Sequence, residues 1–269
     1  MTTTYKKPLT TAEQIDYLEN TKRVRYIHIS KEKAAEILYS NNYINVISPF
    51  KHYFAEKDSD KHPIKVNGSH VYSRNVDFKE YYNHYQNERN DYPVLYKSIL
   101  TFEAHFNAIV SYETINSFNI VDSDKFILWI DTLKANLEAS KYDDVVKQHM
   151  RSEIGKFPKQ MDKYDSIYIF MDRLSLSALI TVFRCSGVAL KKKIFKEMYS
   201  RNFTLGYTDL PTFESDLLER IVQIRNCVCH GNSLDVLKEY YDIKEKTFRT
   251  KSDKKRFKTI IKKLHQHNE

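Results

Sequence analysis

The sequence predicts a mainly α-helical protein, and three observations carry that expectation. Only 5 Gly and 6 Pro punctuate 269 residues, far below average usage, so tight turns are scarce. The remainder is rich in Leu, Ile, Lys, Glu and Tyr. Apolar residues recur at intervals of three and four in one segment after another, the spacing that gathers them on a single helix face. At this length the chain can bury one sizeable core, or one domain with a substantial extension.

The first helix starts within Pro8-Leu9-Thr10-Thr11-Ala12-Glu13-Gln14, where Thr10 or Thr11 can cap and Glu13 or Gln14 can complete a capping box. Ile15 and Leu18 form its apolar side. A second helix starts from Ser30 and carries Ala34, Ile37 and Leu38. Asn41 to Lys51 is then a buried turn or a short third helix broken near Ser48, ahead of Pro49. From Ala55 to Asn75 the chain turns polar and reads as a long loop or weak hairpin, and as a boundary. His62 and His70 fall there at no metal-ligand spacing, so they read as exposed loop histidines.

Phe78-Tyr81-Tyr82-Tyr85 leads through Tyr92-Pro93 into a helix over 94–120 whose stripe is Ile99, Phe102, Phe106, Ile109 and Glu113. Glu103 sits at the stripe's edge. It either orients a catalytic Arg or is a carboxylate paired with a Lys or Tyr, because an unpaired buried charge is costly. His105 points elsewhere and reads as surface. Helices follow over 123–137, holding Trp129, and over 142–154, where Gly155-Lys156-Phe157-Pro158 breaks the pattern. Residues 166–183 read as one core helix, apolar nearly all round. Gly187 interrupts it, and the next helix carries Leu190, Ile194, Phe195 and Met198, with Lys191-Lys192-Lys193 as a solvated face.

After a linker over 201–211, a helix with a hydroxyl cap at Thr212 and acids at Glu214 and Asp216 carries Leu217, Ile221, Ile224 and Val228, and stops at Gly231. Asn232 or Ser233 starts another through Leu234, Leu237 and Tyr240. The C-terminal segment is strongly basic: Lys244, Lys246, Arg249, Lys251, Lys254, Lys255, Arg256, Lys258, Lys262 and Lys263 accompany an apolar stripe of Phe257, Ile260, Ile261 and Leu264. That is an amphipathic helix, which either grips RNA or docks on the body with its lysines in solvent.

The formal charge of +8 favours a polyanionic partner. No apolar run approaches the ~18 residues of a membrane span, and the N-terminus lacks the apolar segment of a secretory signal. A cytoplasmic protein with no membrane partner is expected. Cys185, Cys227 and Cys229 match neither a disulfide framework nor a zinc site, which leaves reduced, buried thiols as the expectation.

The most specific stretch is Arg225-Asn226-Cys227-Val228-Cys229-His230. Arg holds a phosphate with a planar fork of donors, and His gives or takes a proton near neutral pH. Around a straight helix Arg225 and His230 lie roughly 140° apart, whereas Asn226 and His230 are neighbours on one face. Either Arg225 reaches round, or the helix unwinds before His230, or two symmetric copies build a composite cleft. The dimer is the favoured solution. In such a cleft His230 acts as general base on an RNA 2′-hydroxyl or as general acid on the 5′-oxygen, Arg225 stabilises the growing phosphate charge, and Asn226 orients His230 or a phosphate oxygen. The 2′-hydroxyl is an internal nucleophile, so this chemistry requires no metal or other cofactor.

An Arg-x4-His motif with Asn after the Arg, on a basic helical chain, resembles the HEPN superfamily. Further stretches occur in the order seen in the Abi-like abortive-infection family: Pro8 to Glu13, Asn42-Tyr43 through Pro49-Phe50, the Phe102-Glu103 helix, Leu174-Ser175-Leu176-Ser177 and Ile224 to His230. The chain departs from that pattern after the motif, at Gly231-Asn232-Ser233-Leu234, and beside Glu103, where it has His105 and Asn107.

The resemblance implies a HEPN-like helical bundle with a small N-terminal helical extension. With the polar boundary and the basic tail, the expected division is an extension and loop over 1–75, a HEPN-like helical domain over 76–241 and a basic amphipathic helix over 242–269. The resemblance also implies an antiviral, homodimeric, metal-independent endoribonuclease with Arg225, Asn226 and His230 as catalytic residues. RNA is the expected substrate, a small structured non-coding RNA is a candidate partner, and Lys254, Lys255, Arg256, Lys258 and Lys262 are the expected RNA contacts. The competing readings are a non-catalytic RNA-binding protein that holds a structured small RNA, and a structural motif in which Arg225 pairs with Glu103 while His230 caps the helix.

Overall fold

Helices dominate the computed structural model, which describes residues 8–59, 63–66, 69–72, 75–234, 237, 241–242, 247–248 and 251–266. The mainly α class is therefore as the sequence predicts. Two compact units emerge: Met1–Pro93 with Asn226–Lys255, and Val94–Arg225 with Arg256–Glu269.

In the first unit, α1 (Thr11–Lys22) starts from a complete capping box, with Thr10 Oγ1 accepting from the Glu13 amide and Glu13 accepting from the Thr10 amide. It closes through Arg23, which is left-handed at φ 55°. β1 (Val24–Arg25) follows, then α2 (Lys31–Asn41), whose cap is the Ser30 hydroxyl. Asn42 turns the chain into α3 (Tyr43–Val46), a 3₁₀ turn spans Ser48–Phe50, and α4 (Lys51–Phe54) closes this region. The polar stretch forms a small antiparallel hairpin of β2 (Lys65–Val66) and β3 (Ser69–His70), and β4 (Val76–Asp77) pairs parallel with β1. Ile15, Leu18, Ile37, Leu38, Val46, Phe50, Phe54, Phe78 and Tyr81 build one core, in which each fully buried large side chain contributes roughly 1.5–3 kcal/mol. Asp77 ties its edge by accepting from the amides of Ile27 (2.8 Å), Lys79 (2.9 Å) and His28 (3.3 Å).

Next in the chain comes α5 (Phe78–Phe118), a single helix with Pro93 inside it. The second unit contains α6 (Ser123–Ala139), α7 (Asp144–Met161), α8 (Ile167–Asp172), α9 (Leu176–Cys185) and α10 (Val188–Ser200). Trp129, Phe157, Phe126 and Phe170 pack ring against ring between α6, α7 and α8. Phe102, Phe106, Phe183 and Phe213 form a second aromatic cluster. α11 (Leu210–Thr212) runs through a π turn over Phe213–Leu217 into α12 (Leu218–Cys229). A short hairpin, β5 (Tyr241–Asp242) with β6 (Thr247–Phe248), precedes α13 (Lys251–Gln266).

Several local expectations give way to packing. Pro93 does not start a helix, because losing one backbone bond within a helix anchored by buried residues on both sides is tolerated. Gly155 and Pro158 likewise leave α7 continuous, since Ile154 and Phe157 are fully buried and hold it in register. The expected core helix over 166–183 is two helices. Ser175 caps α9 by accepting from the Ala178 amide, and Ile169 is exposed. The cap of α11 is Asp209 rather than Thr212, whose amide donates to it at 2.8 Å. Lys191 and Lys193 are not merely solvated, because they pair with Glu214 and Glu113. His105 is not free surface: its ring stacks on Phe203 at 3.6 Å. The helix expected from Asn232 or Ser233 lies largely outside the described residues, as do His62, Lys244, Lys246 and Arg249.

Candidate functional site: the end of α12

The residues after Cys229 finish α12 in a defined way. His230 N donates to Asn226 O at 3.0 Å, so the helical ladder runs unbroken to the histidine. Gly231 then turns left-handed at φ +65°. Its amide reaches Val228 O at 3.4 Å, and the Asn232 amide reaches Cys227 O at 2.8 Å. These two bonds are those of a Schellman stop, which satisfies carbonyls that the last turn would otherwise leave unpaired. Unwinding ahead of His230 is thereby removed as a way of bringing it to Arg225. The helix keeps the two side chains roughly 140° apart.

Each motif residue has a distinct setting. Arg225 is half-buried, with Nε 3.7 Å from Glu103 Oε2. That is an ion pair without a hydrogen bond, for the facing Nε and Oε2 atoms are both buried and lack hydrogen-bond partners. Asn226 and His230 are exposed. Neither side chain makes a hydrogen bond among the described residues, and on adjacent turns both project from one face. Glu103 thus meets Arg225 rather than a Lys or Tyr, a contact that the orienting role and the structural Arg225–Glu103 pair both require, while His230 occupies the helix C-cap by its backbone alone.

A support that the sequence did not suggest stands within the first unit. Arg89, from the N-terminal part of α5, donates from Nη2 to Gly231 O. Its guanidinium also lies 4.9 Å from the ring centroids of both Tyr85 and Tyr92. The Tyr92 hydroxyl donates to Asn232 O. Burial, and then the Glu88 charge, push that hydroxyl far above the ordinary tyrosine pKa, so it remains a donor at any physiological pH. Gly231 suits the stop by its positive φ, and a Cβ there would meet the flexible end of Arg89, at 2.6 Å from Nη1, and displace it. No spacing rule could have found Arg89, which lies 142 residues from Gly231 in sequence.

The basic residues assigned to RNA all lie on α13. Its stripe of Phe257, Ile260, Ile261 and Leu264 is buried, and in the second unit Ser98 donates to Leu264 O. Lys263 lies 4.0 Å from the Tyr207 ring centroid. Lys255, Lys258 and Lys262 are exposed and Lys254 is half-exposed. Arg256 is exposed as well, but it pairs with Asp216 at 3.3 Å. The helix is docked and keeps a basic outer face.

The remaining candidates separate clearly. His70 is half-buried and packs edge-on to Tyr72, which corrects the expectation of an exposed loop histidine. None of the three cysteines is in a disulfide. Only Cys185 is buried, whereas Cys227 is half-buried and Cys229 exposed, because the last turn of α12 leaves that side uncovered. Burial pushes the Cys185 thiol up to about 12. Among the described residues no helix is long and apolar enough to cross a membrane.

A family model for Abi-like proteins matches residues 36–234. The chain belongs to the Abi-like protein family. The match ends just past the α12 stop, so the Abi-like region includes Arg225, Asn226, His230 and Gly231 together with Arg89 and Tyr92. Membership supports a role in abortive infection as a class. Searches of curated proteins and of solved structures found no match for this Abi-like chain.

Proposed function

We propose that this Abi-like protein is a HEPN-type endoribonuclease that acts in abortive infection, cleaving RNA by attack of its own 2′-hydroxyl. The observation that carries the reading is the exposed, unengaged pair of Asn226 and His230 on a helix that stays intact up to the histidine. A proton-transfer group needs access to substrate and freedom to exchange protons, and His230 has both. Arg225 keeps a guanidinium that makes no hydrogen bond among the described residues and is held on one side by Glu103. It is therefore available to a phosphate oxygen while its charge is partly offset in the resting protein.

On one straight helix end Arg225 cannot share a cleft with its own His230 without reaching round. A second copy solves this by facing the exposed turn, so the proposed enzyme is a homodimer whose composite cleft takes Arg225 and His230 from opposed motifs. In that cleft His230 removes the 2′-hydroxyl proton as the oxygen attacks phosphorus. The 5′-oxygen departs with a proton from the second copy's His230, leaving a 2′,3′-cyclic phosphate. Arg225 neutralises charge on the non-bridging oxygens, and Asn226 orients the imidazole or the phosphate. The internal nucleophile means that the step calls for no metal, and DNA, which lacks it, is not a substrate.

The outer lysines of α13 favour a second reading, an RNA-binding protein that holds a structured small RNA without cutting it. Incubating purified protein with end-labelled RNA, with and without EDTA, tests the two. Cleavage that survives EDTA, leaves cyclic phosphate ends and is lost in His230→Ala supports the nuclease. Tight binding without cleavage, or cleavage unchanged in His230→Ala, overturns it in favour of the binder. A monomeric mass by light scattering at micromolar concentration would refute the composite cleft.

A further inference from the structure

The N-terminus of α10, a helix of 13 residues, opens into a cavity of about 660 Å³ that lies wholly within the second unit. That volume is typical of small-molecule sites. Ser186, Gly187 and Val188 form one wall of it. Gly187 is the N-cap; no side chain bonds to the first amides of the helix, and no acid stands in its first turn. A Cβ on Gly187 would meet nothing within 4 Å. The first amides of a helix point out of its end with a partial positive charge, which a capping oxygen or an acid ordinarily meets. Here the first charged side chain after the cap is instead a cation, Lys191.

Arg184 gives a second sign that does not depend on the helix end. It stands in the last turn of α9 and lines the same cavity, with a side chain only 9% exposed. Its Nη2 donates to Glu214 O at 3.1 Å. Nε is buried without a hydrogen-bond partner, and Nη1 makes no hydrogen bond among the described residues. A buried guanidinium with unused donors is costly unless an anion meets it. The exposed Glu219 meets it poorly, at 3.5 Å, and lies closer to Arg220, at 3.1 Å. Glu214, the other acid in the wall, is already engaged: its carboxylate accepts from the Tyr142 hydroxyl and from Lys191 Nζ at 3.1 and 3.2 Å. Three cations, Lys141, Arg184 and Lys191, therefore line the cavity against two acids.

We propose that this cavity binds a small phosphomonoester of about nucleotide size, with its phosphate at the start of α10. There the open amides and Arg184 Nη1 donate to the phosphate oxygens, while Lys191 and Lys141 add charge. The surplus of one side-chain charge, together with about half a charge at the helix end, is close to the charge of roughly −1.5 to −2 that a phosphomonoester carries at neutral pH. A phosphodiester carries less. Ala139, Val188, Pro211 and the Tyr142 ring leave an apolar part of the wall for the organic body. The site uses none of Arg225, Asn226 and His230, and it does not rest on the nuclease reading, because it is tested by binding rather than by cleavage.

Titration calorimetry of the full chain tests it with ribose 5-phosphate, adenosine 5′-monophosphate, inorganic phosphate, adenosine and a 5′-hydroxyl oligoribonucleotide. At least one phosphomonoester should bind the wild type with a submillimolar Kd, more tightly than inorganic phosphate or adenosine. Gly187→Asp then places a cap and a negative charge where the phosphate would sit. The backbone there, at φ −62° and ψ 154°, is an N-cap conformation that aspartate adopts freely. The thermal midpoint without ligand should accordingly be unchanged or higher, while the affinity falls tenfold or more. Arg184→Gln should weaken binding by a similar factor, and if that variant does not fold, Gly187→Asp still decides. Binding unchanged in Gly187→Asp overturns the site, as does the absence of binding by both phosphomonoesters at millimolar concentration. Inorganic phosphate or adenosine binding as tightly as the phosphomonoesters overturns the assignment to an organic phosphate. Binding of the oligoribonucleotide alone, lost in Gly187→Asp, overturns it in favour of an RNA backbone contact.

Discussion

Substituting Gly231 by Ala tests the α12 stop and its support together. The new Cβ falls 2.6 Å from Arg89 Nη1 and 2.8 Å from Nη2, closer than real contacts allow, so the guanidinium must move. Two costs then combine. The left-handed backbone at φ +65° costs a residue with a Cβ roughly 1–2 kcal/mol. Displacing Arg89 sacrifices its charged hydrogen bond to Gly231 O, worth about 1.5–3 kcal/mol. Gly231→Ala should therefore destabilise the protein by about 2.5–5 kcal/mol, measured by urea denaturation. In an Arg89→Ala background the second cost is already spent, and the same change should cost only ~1–2 kcal/mol. The double-mutant cycle isolates the difference as a coupling of about 1.5–3 kcal/mol. A coupling under ~0.5 kcal/mol would show that Arg89 does not hold the residue after His230, and the account of that support would fail.

Other expectations follow from single features. Because the Arg225–Glu103 pair is long, makes no hydrogen bond and joins two side chains that each keep part of their surface in solvent, although the facing atoms are buried, Glu103→Ala should cost less than about 1 kcal/mol in a denaturation experiment; a loss of several kcal/mol would restore the purely structural reading of the motif. Asp77 is buried, which alone would raise its pKa, but the amides of Lys79, Ile27 and His28 and then the His28 charge hold it below the ordinary aspartate value. A lowered folded-state pKa gives stability that is present above the unfolded value of about 3.9 and lost as pH falls through the lower folded value. The acid limb of the stability profile should accordingly flatten in Asp77→Asn, and an unchanged limb would refute the role. Ellman's reagent at pH 8 should modify Cys229 rapidly and leave Cys185 unreacted until unfolding, as their exposures and the raised Cys185 pKa require. Rapid labelling of Cys185 in the native state would contradict the packing of α9.

What the sequence determined by itself is local. Thr10, Ser30 and Gly231 mark helix ends because a cap needs only a side chain or a permissive φ within a few residues. The angular separation of Arg225 from His230, and the shared face of Asn226 and His230, follow from helix periodicity and needed no neighbours. The buried stripe of α13 was legible for the same reason. Tertiary structure decided whatever pits a local preference against distant packing. Pro93, Gly155 and Pro158 are helix breakers that remain inside helices, and Ser175 splits a stretch that is apolar enough to continue. It also decided which side chains from remote segments meet: Glu103 with Arg225, and Arg89 with Gly231. Such pairings depend on how helices come together in three dimensions. No periodicity along the chain encodes a contact between residues 142 positions apart, so only the folded arrangement could place an arginine against the end of the helix that carries His230.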